Sequence, residues 1–237
     1  MATLLLRLAA PMQSWGADSK FEVRKTNREP TKSGVVGLLA AALGLRRNET
    51  EALYRLNRLR YAVRVDREGS LLVDLHTAGN LTSAEKAAGK KEKATYLTRR
   101  YYLADAVFLV GLESEDRVFL EQLAAALCHP AFPLFLGRRS CPPTQPVCLG
   151  IRNAGLLEAL RAQPPLLDRA GETHQTRNFR IVTDAAPEET GTVPRHDLPL
   201  SFSPIHRQYG YRAVREIIDT PPVTPEETTH DPFAELR

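Results

Sequence analysis

Thr3 to Ala9 is a leucine-rich run broken only by Arg7 and closed by Pro11. Apolar residues at nearly every position suit a central strand buried on both faces, followed by a loop. From Pro11 to Ser33 the apolar period disappears, leaving Trp15, Gly16 and scattered Lys and Arg, so a long loop suited to binding is expected. The pattern returns at Gly34 to Leu43, introduced by Pro30, Thr31 and Ser33 and followed by Gly44, which predicts a buried helix with a hydroxyl N-cap and a glycine stop. Tyr61 to Val65 and Leu71 to Leu75 flank Asp66-Arg67-Glu68-Gly69-Ser70 and predict a β-hairpin. Ala104 to Leu112 reads as a further strand, Val118 to Leu127 as a helix and Leu134 to Leu136 as a short last strand.

This order is the split βαβ pattern of ferredoxin-like and RRM-type domains, so the fold class expected is α+β, with a ferredoxin-like domain over residues 1–148. The segment Gly79 to Arg100 interrupts it with alanine, lysine and threonine and few core residues, and is expected to project from the sheet. Over 149–220 the pattern changes to Pro-rich loops and short strands such as Phe179 to Thr183 and Tyr211 to Ile218, predicting a small β-rich C-terminal domain. Residues 221–237 read as an acidic, flexible tail.

Composition adds little to the fold but much to the choice of partner. A chain of 237 residues with 43% hydrophobic content can bury a core. The net charge of +4 is unevenly spread: Lys20 to Arg47 holds seven Lys and Arg against two acids, His76 to Tyr102 six against two, and Glu216 to Arg237 six acids and one Arg. The front half is thus a cationic surface fit for a polyanion. Cys128, Cys141 and Cys148 lack the paired spacing of a zinc site and read as incidental or buried thiols in a reducing compartment, with no metal implied. The leucines of Met1 to Ala10 are too few for a signal peptide or a membrane span, so a cytoplasmic protein is expected.

Sheet domains of the RRM type bind single-stranded RNA with cations for phosphate and planar groups for stacking. The candidate cations here are Arg24, Lys25, Arg28, Arg46 and Arg47 at the front, and Lys90, Lys91, Lys93, Arg99 and Arg100 in the insertion. Lys32-Ser33 lacks the glycines of a nucleotide-hydrolysing loop; the N–H groups at the helix start with the Lys32 ammonium suit one phosphate, or Ser33 only caps the helix. In Gly137-Arg138-Arg139-Ser140 a glycine allows close backbone approach and two guanidiniums offer forked donors to phosphate. Trp15 and Met12 suit a loop anchor or partner contact, and Gln13 a base edge. His76, Tyr101 and Lys93 could be assembled into a metal-independent cleavage set, although His76 reads better as a strand-end residue facing RNA or solvent.

Three segments carry a family resemblance: Leu5-Leu6-Arg7-Leu8-Ala9-Ala10-Pro11-Met12-Gln13-Ser14-Trp15-Gly16, Pro30-Thr31-Lys32-Ser33-Gly34-Val35-Val36-Gly37-Leu38-Leu39, and Pro133-Leu134-Phe135-Leu136-Gly137-Arg138-Arg139-Ser140-Cys141-Pro142. Together they resemble the CasD family, the subunits of type I-E Cascade complexes that cap the 5′ handle of CRISPR RNA. The likeness runs to about Gly150 and is loose afterwards. It implies a RAMP domain whose insertion at 79–100 is a thumb crossing the guide, neighbours in the CasC backbone and the large subunit CasA, contact with target DNA only through the complex, and no cofactor. The sheet face, the Pro11 to Ser33 loop and Arg138-Arg139 would hold the handle. In type I-E systems a separate subunit, CasE, cuts the precursor, whereas the type I-C branch uses its equivalent subunit as a metal-independent ribonuclease. The expectation is therefore a non-catalytic antiviral RNA-binding subunit, the alternative an endoribonuclease processing CRISPR repeat RNA.

Overall fold

The computed structural model describes residues 1–16, 22–80, 87–89, 94–166, 179–203 and 205–219, with the backbone only at 78–80 and 94–96. The first strand, β1 (Ala2–Ala9), is paired antiparallel with β7 (Val107–Ser114) on one side and β8 (Cys148–Arg152) on the other. Beyond β7 comes β4 (Arg60–Arg67), and the order β8-β1-β7-β4, with helices α1 (Lys32–Leu43) and α3 (Arg117–Cys128) between its strands, is the ferredoxin-like topology. A further helix, α2 (Thr50–Asn57), buries Leu53 and Leu56 and was not expected from the sequence.

Leucine at successive positions of β1 has a simple cause: both faces of the sheet are covered. Leu4, Leu6 and Leu8 join Phe108 and Val110 beneath Val35, Val36 and Leu39 of α1 and Leu120 and Leu123 of α3. On the opposite face Leu5, Ala62, Leu109 and Ile181 pack under Leu156, Ala159 and Leu160 of α4 (Leu156–Ala162). Gly111 makes room there, because a Cβ on it would lie 2.7 Å from Leu156 Cδ1. The carbonyls at the end of α4 are met by buried Arg64, which donates to Leu160 O and Gln163 O at 2.5 Å and pairs with Asp66 at 2.7 Å. An open sheet face for RNA is thus corrected: its centre is dry core on both sides.

The expected hairpin of 61–75 is also corrected. Both strands exist, but the chain turns at Gly69 (φ 71°) and they part: β4 pairs with β7 and β9 (Phe179–Asp184), whereas β5 (Ser70–Asn80) pairs with β6 (Ala94–Ala104). The β5–β6 ladder runs without a register break from Ser70↔Ala104 to Asn80↔Ala94. The projecting insertion is therefore a β-ribbon starting at Ser70, longer than the 79–100 segment read from composition. Lys90, Lys91 and Lys93 lie outside the described residues, as does the 221–237 tail.

The Pro11 to Ser33 stretch is strapped along this ribbon. Here β2 (Met12–Gln13) pairs antiparallel with Leu103 and Ala104, β3 (Val23–Arg24) pairs parallel with Arg99 and Arg100, and Trp15 bridges to Asn27. Leu134 to Leu136 is no strand. Pro133 has no N–H to donate, Leu136 N–H bonds to Cys141 O at 2.7 Å, and Leu136 O accepts from Ser14 N–H at 3.2 Å, closing a loop. The last ferredoxin strand is β8 instead.

Residues past 148, read as a separate β-rich unit, hydrogen-bond into the same sheet. After β9 come β10 (Thr192–Ser201) and β11 (Gln208–Asp219), extending one seven-stranded antiparallel sheet in the order β10-β11-β9-β4-β7-β1-β8.

Candidate nucleic-acid interface

The site is organised by the turn at Gly137, whose φ of +84° favours glycine and whose Cβ, if present, would sit 1.7 Å from Ser14 O. The close approach foreseen for this glycine is therefore made to the protein's own backbone. With Cys141 N–H donating to Arg138 O at 2.9 Å, the turn holds Arg138 and Arg139 in different surroundings.

Arg138 is half-buried, stacked 4.7 Å over the Tyr102 ring, and donates to Arg24 O at 2.8 Å. Its Nη1 is buried without a hydrogen-bond partner among the described residues. It fastens β3 to the ribbon, and this brings exposed Arg24, Lys25 and Arg99 together with half-buried Arg100. Arg24 and Arg100 are register partners halfway along the ribbon, where Arg100 also faces Asp74, and the neighbouring Arg99 leaves the opposite face, so basic side chains lie on both faces of the ribbon's middle. Arg28, also exposed, borders a different cleft shared with Glu29, Glu68 and Glu216, where Arg180 and Arg195 neutralise buried Glu29.

Arg139 and Ser140 are exposed, and Arg139 opens onto a groove of about 890 Å³. The floor is the small-residue face of α1, Gly34, Gly37, Ala40 and Ala41. A Cβ on Gly37 would meet only Phe202 Cζ, at 3.9 Å, so glycine leaves the floor open. Phe132 and Phe135 stand on one wall, Phe202 and Tyr209 on the other, and the exposed guanidiniums of Arg46, Arg47, Arg139 and Arg207 surround it. Among the described residues no carboxylate pairs with these four guanidiniums. Unpaired cations beside aromatic rings suit phosphates and stacked bases. Sequence reading named Arg46, Arg47 and Arg139 and missed Arg207, Phe132, Phe135, Phe202 and Tyr209. Phe132 and Phe135 stand just before Arg138-Arg139 in one segment, and that nearness of rings to cations was the available signal.

Several expected contacts are withdrawn. Gln13 is fully buried; its amide donates to Leu8 O at 3.1 Å and Ala106 O at 2.7 Å, and its carbonyl accepts from Trp15 Nε1 at 3.1 Å, which leaves nothing for a base edge. Trp15 is buried against Gly34 of α1 and anchors its loop, with Met12 packed half-buried on the same core.

The α1 N-terminus is closed to phosphate: the Thr31 hydroxyl accepts from Gly34 N–H at 3.2 Å and Asp197 accepts from Lys32 N–H at 2.9 Å. The Lys32 ammonium pairs with Asp184 at 2.9 Å, and Ser33 is buried with its hydroxyl toward Thr31. Arg212 completes this buried cluster at 2.6 Å from both Asp184 and Asp197. Burial opposes the Arg212 charge, but its hydrogen bonds to Asp197 and the fields of both carboxylates outweigh that and raise its pKa.

His76 is exposed on the ribbon opposite Thr98, while Tyr101 pairs with Val73. Three positions apart along a strand, the two side chains leave opposite faces, so the ladder does not assemble a His76–Tyr101 pair.

Comparison with known proteins agrees with this architecture. A family model described as CRISPR-associated protein (Cas_Cas5) matches residues 3–215. The CRISPR system Cascade subunit CasD of Escherichia coli (strain K12) is 41% identical over 162 residues, 64% of this chain and 71% of that protein. A chain of a solved CRISPR RNA-guided surveillance complex superposes with a TM-score of 0.77 at 38% identity, covering 94% of this chain and 92% of its own. A second, from a crystal structure of a Cas protein, gives 0.71 at 41% identity, covering 92% and 95%.

Proposed function

The chain belongs to the CRISPR-associated Cas_Cas5 family, and from that premise we propose that it is a non-catalytic subunit of a CRISPR RNA-guided surveillance complex that grips the 5′ handle of CRISPR RNA. The observation that carries this is the groove over α1, where four arginines without a carboxylate partner among the described residues and the rings of Phe132, Phe135, Phe202 and Tyr209 surround a floor of small residues. The Gly137 turn also carries Arg138, which holds Arg24, so a single strand leaving Arg46, Arg47, Arg139 and Arg207 next meets the ribbon face that carries Arg24 and Arg100. The β5–β6 ribbon acts as the thumb across the start of the guide. CasC and CasA are the neighbours that fit, target DNA is met through the assembled complex, and the protein works in the cytoplasm without a cofactor.

Cleavage is left to another subunit in this reading, since metal-free cutting needs a base and an acid converging on one phosphate. His76 and Tyr101 diverge instead. The test pairs two assays on purified protein. CRISPR RNA with its 5′ handle should bind more tightly than the same RNA lacking the handle, and repeat RNA incubated in EDTA should stay intact. Equal binding of both RNAs would overturn handle recognition, and specific repeat cutting lost in a His76→Ala variant would overturn the non-catalytic role.

A further inference from the structure

We propose that the groove over α1 takes one nucleotide of the guide with its base unstacked and turned inward, standing on the floor at Gly37 beside the Phe202 ring. The inference rests on the groove as the RNA site and names what enters it. Gly37 lies in the middle of α1, where glycine is less favourable than alanine. Packing explains one of the two glycines of this helix and not the other. A Cβ on Gly34 would lie 2.8 Å from Trp15 Cε3, so a side chain there collides with the core. A Cβ on Gly37 would meet only Phe202 Cζ at 3.9 Å, an ordinary contact, and Gly37 is not among the residues of positive φ. Neither packing nor backbone geometry requires glycine at 37. What the absent side chain supplies is depth, and Ala40 and Ala41 continue it along the floor.

The walls and the rim decide what fills that depth. Cζ is the one Phe202 atom within 4 Å of the Gly37 Cβ position, so the ring meets the helix tip-first and its faces flank the space above the floor. A flat ring set beside it gains offset stacking. The guanidiniums of Arg46, Arg47, Arg139 and Arg207 are exposed at the rim, so phosphates stay there while the base, the apolar part of the nucleotide, goes down. Gly34, Gly37, Ala40 and Ala41 carry no hydrogen-bonding side chain, and the seat therefore senses the presence of a ring and not which base it is. A base held in a duplex cannot enter without unpairing, so the handle is single-stranded where it crosses α1.

The test measures the affinity of full-length protein for CRISPR RNA with its 5′ handle and for a series in which each handle nucleotide in turn is abasic, with thermal unfolding followed in parallel. One abasic position should weaken binding to the parent about tenfold, whereas exchanging the base there should change it by less than about twofold. Gly37→Leu fills the seat and Phe202→Leu removes the stacking face. Each should bind the intact RNA about tenfold more weakly and lose its sensitivity to that one abasic position, and either suffices if only one of them folds. Equal binding of handle and handle-free RNA by the parent would overturn the RNA reading itself. A parent that prefers the handle but shares its abasic profile with the folded variants would overturn the seat alone, as would a strong preference for one base there. RNA binding unchanged in the folded variants would assign the floor to a protein segment and equally overturn the proposal.

Discussion

Gly137 shows how one residue can be read correctly for the wrong reason. Its place before two arginines marks a turn with close backbone approach, but the atom approached is Ser14 O rather than a ligand. Gly137→Ala should cost at least about 2 kcal/mol in denaturant unfolding, from left-handed strain plus overlap with a carbonyl. The adjacent arginines should separate in experiment although sequence treats them alike. Arg138→Ala loses its bond to Arg24 O and its stacking on Tyr102, so it should lower stability by roughly 1 kcal/mol. Arg139→Ala should leave stability within about 0.5 kcal/mol and weaken RNA binding, with the salt slope falling by about 0.7. Equal stability losses in the two variants would contradict this division.

At the scale of elements, legibility followed period and punctuation. Helix α1 was found because its apolar run stops at Gly44, although it starts earlier than expected and its cap is Thr31 instead of Ser33, and α3 was found because its apolar spacing is helical. The strands β2 and β3 have two residues each and hold no period to detect, so their pairing with β6 was invisible. Alternation revealed β4 and β5 but not their partners, since a period of two fixes faces and says nothing about which strand lies alongside. The leucine run of β1 was read as buried on both faces, which already argues against the open sheet face proposed for RNA.

Two element-level outcomes can be measured. Asp197 links β10 to Arg212 and to the start of α1, so Asp197→Ala should cost about 3–5 kcal/mol by leaving a buried guanidinium and a helix N–H short of their partner. Asp116 caps α3 by accepting from Phe119 N–H at 2.9 Å, and that bond, followed by its pairing with Arg55, lowers its pKa. A lowered folded-state pKa means its contribution is full above the unfolded value and lost as pH falls through the folded one. Asp116→Asn, which keeps a good cap, should therefore flatten the acid side of the stability curve below about pH 4. An unchanged acid limb would count against the pairing.

Across the whole molecule, the long-range order of the chain was the part sequence could not supply. Charge counts placed cations in the front half, but the fold decides which of them face a common surface. Lys32 is locked to Asp184 and Arg28 lies beside carboxylates, while Arg207, from the β10–β11 connection, joins Arg46, Arg47 and Arg139 around one groove. The β9–β11 extension of the sheet thus supplies one wall of the candidate site. The most direct test of the central claim is the salt dependence of handle-RNA binding in the combined Arg46→Ala, Arg47→Ala, Arg139→Ala and Arg207→Ala variant, with unfolding followed in parallel. With each single-strand phosphate contact contributing about 0.7 to the slope of log affinity against log salt, the variant should bind more weakly and lose about 2–3 of that slope while remaining folded. A folded variant that retains the parent's affinity and slope would contradict the account.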